Sequence, residues 1–261
     1  MKLHSGLSID QREGSSQPAV FCMHGIGGNT KSFEPQLQYF EGKQKIIAWD
    51  MPAYGESTAL SEMTFEALAD AAITALDELG LQQVVFVGQS IGGMVALEIA
   101  HRHPERVAAL VLVGTTPSFG GRDESFKDDF LKARLAPLDA GKTMQDLAPK
   151  FVPQIVGSKA SEAVIAAATA SMAAVSIAAY RSTIECLVTF NRRDALATMQ
   201  MPCLLIAGDE DKNAPARTMQ KMADTLPSSQ YHCLEGVGHL INLEAADACN
   251  RLIEKFLGEL S

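Results

Sequence analysis

The sequence has no long uninterrupted apolar run. Its longest apolar stretch, residues 163–179, is broken by Thr169, Ser171 and Ser176 and is rich in Ala, which favours a packed helix over a membrane span. The first residues lack the apolar core of a secretory signal. Basic residues are the minority, with 22 Lys and Arg against 31 Asp and Glu and a net charge of −9. Because an acidic surface repels phosphates, nucleic acid and anionic membranes are not expected partners. Since neither a secretory signal nor a membrane span is visible, a cytoplasmic location is expected by default.

Paired cysteines are also missing. The five cysteines contain no C-x-x-C pair, which favours reduced thiols in the core over a disulfide framework. No cluster with metal-ligand spacing occurs, and no G-x-G-x-x-G follows a strand pattern. We therefore expect neither a metal nor an organic cofactor. The oligomeric state is not readable from the sequence.

Short apolar runs typical of strands alternate with longer helical patterns. The runs are unbroken rather than alternating, which indicates strands covered on both faces, as in a parallel sheet between helices. The expected strands are residues 19–23, 45–49, 84–87, 107–113, 203–207 and 230–234. The N-terminal stretch through the polar residues 14–18 predicts a small hairpin that leads into a turn.

The predicted helices include one with recognisable start and stop residues. Thr64 is a plausible N-cap for an amphipathic helix over residues 64–79, and Gly80 follows as its stop. Further helices are expected at residues 91–100, 214–226 and 245–257. This alternation predicts an α/β fold with right-handed crossovers.

One segment has no strand pattern. Residues 117–190 predict a helical insertion that lies over the end of the sheet as a lid, and the alternative is two ordinary crossover helices with long loops. The core is then formed by residues 1–116 and 191–261.

The strongest chemical signal is the motif G-x-S-x-G at residues 88–92. It stands between a predicted strand and a predicted helix, which is the context of a nucleophile elbow. A serine at such a sharp turn adopts strained dihedrals, and glycine two residues before and after it lets the neighbouring backbone pass. We therefore predict that Ser90 is a nucleophile, against the alternative of a tight turn with a bystander serine.

A serine nucleophile needs a base and an orienting carboxylate. His239 stands in a Gly-rich loop after the last predicted strand and is our candidate base, the alternative being a structural loop histidine. Asp211 is our candidate acid among three neighbours, and Asp209 and Glu210 are interpreted as turn and surface acids. The chain order Ser, Asp, His agrees with this class of site.

Two backbone N–H groups are predicted to stabilise an oxyanion. That of Ile91 directly follows Ser90, and that of Ile26 belongs to the Gly-rich loop after the first predicted strand. His24, at the start of this loop, is interpreted as a residue that braces the loop and not as a base.

Five motifs occur in an order and at separations typical of one large family. They are HGIGGN from His24, DMPAYGES from Asp50, GQSIGG from Gly88, GDEDKNAP from Gly208 and GVGHLINLE from Gly236. In these motifs the sequence resembles the α/β-hydrolase superfamily over nearly its whole length. The resemblance implies a mostly parallel eight-stranded sheet flanked by helices, with a helical cap. It also implies Ser90, Asp211 and His239 as nucleophile, acid and base, and Ile26 and Ile91 as oxyanion donors.

Within the superfamily, residues 178–194 and Glu244 resemble the branch of 3-oxoadipate enol-lactonases and small carboxylesterases. Ser90 argues against haloalkane dehalogenases and epoxide hydrolases of this fold, which use an aspartate nucleophile. Ala53 stands where the loop pattern D-x-P-G-x-G usually has glycine.

The leading hypothesis is hydrolysis of a small carboxylic ester or lactone through an acyl-enzyme. The alternatives are hydrolysis of a C–C bond in a dienoic ring-cleavage product, and a catalytically weak ligand sensor on the same fold. Substrate choice would depend on the insertion, where Arg134 or Arg181 could hold a substrate carboxylate or be surface charges. Six residues could line an apolar pocket or simply form the core of the lid: Phe119, Phe130, Met144, Phe151, Met172 and Tyr180.

Overall fold

The computed structural model describes residues 1–120 and 124–260. These residues form seven strands in one sheet. The strands are β1 (Ile9–Arg12), β2 (Gly14–Met23), β3 (Gly42–Trp49), β4 (Val84–Gln89), β5 (Val107–Val113), β6 (Cys203–Gly208) and β7 (Ser229–Leu234).

Ten α-helices are found in the same described residues. They are α1 (Glu34–Phe40), α2 (Phe65–Glu78), α3 (Ile91–Arg102), α4 (Glu124–Asp139), α5 (Met144–Ile155), α6 (Glu162–Ala173), α7 (Ile177–Leu187), α8 (Ala216–Thr225), α9 (Ile241–Glu244) and α10 (Ala246–Gly258). Short 3-10 turns cover Thr30–Phe33, Pro104–Arg106 and Arg193–Thr198.

The sheet is mostly parallel, as predicted. Its strand order is β1-β3-β2-β4-β5-β6-β7, and only β1 runs antiparallel to its neighbour. One face is covered by α2, α3 and α8, and the other by α1 and α10, so that two apolar cores lie on either side of the strands. Burial on both faces explains why the central strands read as unbroken apolar runs.

The expectation of eight strands is wrong for the described residues. Before β1 the chain turns back at Gly6, whose φ is +88°, and the pairing is reduced to one isolated bridge between Lys2 and Ser8. The small hairpin predicted for the N-terminal stretch is present only as this one bridge, and residues 14–18 form the first half of β2 instead of a turn.

The two ends and the buried face of helix α2 follow from its local sequence. The Thr64 hydroxyl accepts a hydrogen bond from the N–H of Ala67, which confirms the predicted N-cap. Gly80 follows the helix with φ +66°, a conformation that glycine adopts without a Cβ clash. The buried residues of the helix recur every three or four positions and face the sheet.

Four helices, α4 to α7, stand between β5 and β6, so this part of the chain is helical as predicted. The two ends of the segment lie side by side. The Phe119 N–H donates to the Phe190 carbonyl (3.0 Å), and the Arg192 N–H donates to the Pro117 carbonyl (2.8 Å). The segment therefore leaves and re-enters the sheet region at one place, and we call it the insertion.

Among the described residues, no single helix is both long and apolar enough to cross a bilayer. Helices α6 and α7 reach that length and composition only together, with a 98° bend between them.

Candidate active site

Ser90 lies in a sharp turn between β4 and α3. Its φ is 56° and its ψ is −123°, and the only other described non-glycine residue with a positive φ is Ala53. Such a backbone conformation costs of order 1–3 kcal/mol and persists only where the surroundings impose it. The turn leaves the side chain half-buried above the sheet and directly before the N-terminus of α3.

The glycines of the motif are required by close backbone contacts. A Cβ on Gly92 would lie 2.0 Å from the Met23 carbonyl oxygen. A Cβ on Gly88 would lie 2.5 Å from the Gly92 carbonyl oxygen. Backbone atoms cannot move aside as a flexible side chain can, so the strand, the turn and the helix can approach this closely only with glycine at both positions.

The structure brings Ser90, His239 and Asp211 into one hydrogen-bonded series. His239 Nε2 lies 2.9 Å from Ser90 Oγ, and its Nδ1 lies 2.8 Å from Asp211 Oδ2. The three residues follow β4, β7 and β6, and therefore meet at the carboxyl edge of the sheet, where parallel α/β folds place their sites. Asp211 and His239 are buried, at 4% and 9% exposure, which protects their hydrogen bond from water.

The three neighbouring acids have three different partners. Asp211 accepts from His239, and its other oxygen accepts from the N–H groups of Asn213 (2.8 Å) and Ala214 (3.0 Å). Asp209 instead accepts from backbone N–H groups at the start of the loop that contains His239. Glu210 binds a residue of the insertion.

The electrostatics of Asp211 favour its charged form. Burial raises the pKa of the Asp211 carboxyl, but the attraction of His239, its hydrogen bond and the N–H groups of Ala214 and Asn213 outweigh burial, and the pKa is lowered. Asp211 is therefore a carboxylate at neutral pH and holds the Nδ1 proton of His239.

His24 is not available as a base. Its Nε2 accepts from the Met51 N–H (3.0 Å), so the proton is on Nδ1, which donates to the Gly25 carbonyl (2.8 Å). The ring is 1% exposed, and burial lowers its pKa. The prediction that His24 braces its loop is confirmed.

The two predicted oxyanion donors flank Ser90. Ile91 begins α3 directly after it. Ile26 follows Gly25, where an added Cβ would lie 3.1 Å from Ser90 Cβ, so this loop abuts the serine. Among the described residues, neither the Ile26 nor the Ile91 N–H donates to an acceptor of the protein. Neither N–H is therefore already used in a hydrogen bond within the described part of the chain.

The insertion contacts the loop that contains Ile26. Met172 of α6 packs on Gly27, where an added Cβ would lie 2.6 Å from the Met172 Cε. The Ser171 hydroxyl donates to the Gly27 carbonyl (2.8 Å) and accepts from the Asn29 side chain (3.0 Å). Helix α6 is therefore attached to the loop by both packing and hydrogen bonds.

The remaining insertion candidates differ in their surroundings. Met144 and Tyr180 are buried in the main core, whereas Phe119, Phe130 and Phe151 are partly buried at its border. Arg181 pairs with Asp139 at the surface. Arg134 lies against the rings of Phe130 and Phe151, and it pairs with no carboxylate among the residues that the structure describes.

Two supporting residues were not anticipated from the sequence. The buried Gln89 side chain donates to the His239 carbonyl (2.9 Å). Glu244 accepts hydrogen bonds from N–H groups on both sides of His239. No group of three or more potential metal ligands was found in the part of the chain that the structure describes.

Comparison with known proteins agrees with this fold. A family profile described as the alpha/beta hydrolase fold matches residues 18–246. The chain belongs to this family. It is 28% identical to a pimeloyl-[acyl-carrier protein] methyl ester esterase of Aromatoleum aromaticum, over 92% of this chain and 98% of the relative. It is 25% identical to 3-oxoadipate enol-lactonase 2 of Acinetobacter baylyi, over 92% of this chain and 88% of the relative.

Solved structures show the same fold. An esterase of Thermogutta terrifontis superposes with a TM-score of 0.88 at 22% identity, covering 97% of this chain and 93% of its own. The enol-lactonase of Burkholderia xenovorans superposes with a TM-score of 0.87 at 22% identity, covering 97% and 96%. The resemblance to the α/β-hydrolases, with enol-lactonases and esterases among the relatives, is confirmed. This alpha/beta hydrolase is thus related to hydrolytic enzymes.

Proposed function

We propose that this alpha/beta hydrolase is a serine hydrolase that cleaves a carboxylic ester or lactone of a small molecule through an acyl-enzyme. The observation that carries the proposal is the continuous series Ser90 Oγ, His239 Nε2, His239 Nδ1 and Asp211 Oδ2, with separations of 2.9 and 2.8 Å. Similarity to a methyl ester esterase and an enol-lactonase supports the choice of an ester or lactone.

In the acylation half, the Ser90 hydroxyl attacks the carbonyl carbon while His239 Nε2 takes its proton. The carbonyl oxygen becomes an oxyanion that binds the N–H groups of Ile26 and Ile91, and each such donor contributes about 3–4 kcal/mol to lowering the barrier. The imidazolium is stabilised by Asp211 and gives its proton to the leaving alkoxide. An alcohol leaves from an ester, whereas in a lactone the new hydroxyl stays on the acyl chain.

In the deacylation half, water takes the place of the alcohol. His239 Nε2 removes a proton from the water, which attacks the acyl carbon, and the same N–H pair holds the second oxyanion. Collapse of this intermediate returns the proton to Ser90 Oγ and releases the carboxylic acid. One imidazole thus serves both halves, because both need a proton acceptor at the same point above the serine.

We further propose that the insertion, residues 117–190, acts as a cap over this site and determines substrate choice. The contact of α6 with the oxyanion loop supports this role, because Met172 lies next to the loop that would hold the carbonyl oxygen. The partly buried aromatic residues around Arg134 supply apolar surface on the same insertion.

The test compares wild type with Ser90→Ala on short-chain p-nitrophenyl esters, lactones and a dienoic substrate. We expect Ser90→Ala to lower ester turnover by at least 10³-fold while the circular dichroism and melting temperature are kept. Ser182→Ala is the matched control, because among the described residues this hydroxyl donates only to a carbonyl of its own helix. A fluorophosphonate should add to wild type and the control, but not to Ser90→Ala, by intact mass. Undiminished ester turnover in Ser90→Ala would refute the proposal, and turnover of the dienoate alone would favour C–C hydrolysis.

A further inference from the structure

The carboxylate of Glu244 binds three backbone N–H groups from two different parts of the chain. Its Oε2 accepts from Gly238 (2.9 Å) and from Gly157 (2.7 Å), and its Oε1 accepts from Leu240 (2.8 Å). Gly238 and Leu240 are the two neighbours of His239, and Gly157 follows α5 in the insertion. A half-buried carboxylate with three N–H donors forms charge-assisted hydrogen bonds, which are about twice as strong as neutral ones.

The peptide groups of His239 itself are held as well. Its N–H donates to the Ile155 carbonyl (2.7 Å), and its carbonyl accepts from the Gln89 side chain (2.9 Å). Every backbone N–H from Gly238 to Leu240 therefore has an acceptor, and Glu244 supplies two of the three. The backbone at His239 cannot rotate without breaking one of these bonds.

The insertion also contacts the loop that contains His239. Residues 155–159, which we call the strap, run directly along the loop that contains His239. An added Cβ on Gly157 would lie 2.5 Å from both the Gly236 carbonyl oxygen and the Gly238 nitrogen. The Lys159 N–H donates to the Gly236 carbonyl (3.0 Å). Glu244 thus joins the strap to the loop at Gly157, where the loop backbone leaves no room for a side chain.

We propose that Glu244 is a positioning residue for the reaction, which holds His239 Nε2 within proton-transfer reach of Ser90 through the flanking peptide groups and the strap. This inference rests on the proposed function of Ser90 and His239. Its physical basis is that a displacement of about 1 Å in a reacting group costs about 10²-fold in rate. The carboxylate touches neither the substrate nor the reacting atoms, so its effect is exerted through the backbone at 238–240.

Glu210 provides a matched control. Its carboxylate also binds the strap, by accepting from the N–H (2.6 Å) and hydroxyl (2.7 Å) of Ser158. It makes no side-chain hydrogen bond to the backbone around His239 among the described residues. Removal of either carboxylate loosens the strap, but only removal of Glu244 also frees the neighbours of His239.

The experiment measures kcat and KM of wild type, Glu244→Ala, Glu244→Gln and Glu210→Ala on one p-nitrophenyl ester. We expect Glu244→Ala to lower kcat by about 10- to 100-fold with KM within about threefold, and Glu210→Ala to stay within about twofold. Glu244→Gln should lie between them, because its single oxygen can replace only one of the two carboxylate oxygens and its amide then faces an N–H donor. If Glu244→Ala does not fold, Glu244→Gln is compared with wild type and Glu210→Ala instead.

A second measurement separates positioning from mere stabilisation. The proton between His239 Nδ1 and Asp211 gives a far-downfield ¹H resonance, which we expect to broaden or shift in the Glu244 variants and to stay unchanged in Glu210→Ala. If wild type is active and a folded Glu244 variant keeps kcat within twofold of wild type, only this inference is overturned. An unchanged downfield resonance in the Glu244 variants has the same consequence. A wild type that neither turns over esters nor reacts with a fluorophosphonate overturns the proposed function as well.

Discussion

Replacement of Asp211 by Asn tests the proposed role of the acid with almost no change in shape. In the wild type one Asp211 oxygen accepts from the N–H groups of Asn213 and Ala214, and the other accepts from His239 Nδ1. An Asn side chain has one oxygen and one NH₂ group for these two places. The oxygen must stay with the two backbone donors, because the opposite orientation leaves the buried N–H of Ala214 and the partly buried N–H of Asn213 facing an NH₂, and the buried group alone costs about 1–3 kcal/mol.

This orientation fixes the tautomer of the base. The Asn NH₂ then points at His239 Nδ1, which must accept, so the ring proton moves to Nε2. An Nε2–H group faces Ser90 Oγ and cannot take the serine proton. We expect kcat to fall by about 10⁴-fold, which corresponds to about 5.4 kcal/mol of transition-state stabilisation, with KM little changed.

The assay is steady-state hydrolysis of a short-chain p-nitrophenyl ester at pH 7.5. Asp209→Asn is the control, because one Asp209 oxygen accepts from the backbone N–H groups of Gly236 (2.7 Å) and Val237 (3.3 Å), and an Asn oxygen can keep both bonds. This control should stay within about threefold of wild type. If Asp211→Asn retained more than about a tenth of wild-type kcat, or if both variants lost activity equally, the reasoning on the tautomer would be refuted.

Two further predictions follow from the same site. Ser171→Ala removes the hydroxyl that donates to the Gly27 carbonyl, and we expect kcat to fall about three- to tenfold with a melting temperature lowered by only about 2–4 °C. An unaltered kcat would show that this contact does not fix the oxyanion loop. Because the pKa of Asp211 is lowered in the folded protein, its stabilising effect is present above about pH 4 and is lost as the pH falls through the lowered value. The melting temperature of wild type should therefore fall more between pH 5 and pH 3 than that of Asp211→Asn, and equal slopes would contradict a lowered pKa.

The central strands were predictable from the sequence because they are buried on both faces. Residues 107–113, for example, form an unbroken apolar run whose ends coincide with those of β5. The outer strands were not predictable in the same way. β1, with the sequence IDQR, has one buried residue, and the first half of β2 is polar and mostly exposed. Their pairing depends on β3, which lies about 30 residues further along the chain, so the local pattern suggested instead an N-terminal hairpin that ends in a turn at residues 14–18.

The residues of the proposed site also differ in whether their roles depend on local sequence or on distant backbone. Ser90 was found because an elbow needs glycine at fixed spacing, which is a local property. The roles of Gln89 and Glu244 were missed because each side chain binds backbone that is distant in sequence. Gln89 reaches the carbonyl of residue 239, and Glu244 reaches the N–H of residue 157. A backbone N–H or carbonyl carries no residue-specific signal, so only the fold reveals these partners.

The three parts of the proposed machinery are held in different ways. Ser90 is fixed by the core alone, since β4 is central in the sheet and α3 is buried along residues 91–100. The loop of His239 and the loop of Ile26 are instead each attached to the insertion, the first through the strap and the second through Ser171. Displacement of the insertion would therefore move the base and an oxyanion donor relative to the nucleophile. Under the proposed function, substitutions in the insertion that shift α6 or the strap are therefore expected to change the rate as well as the substrate choice.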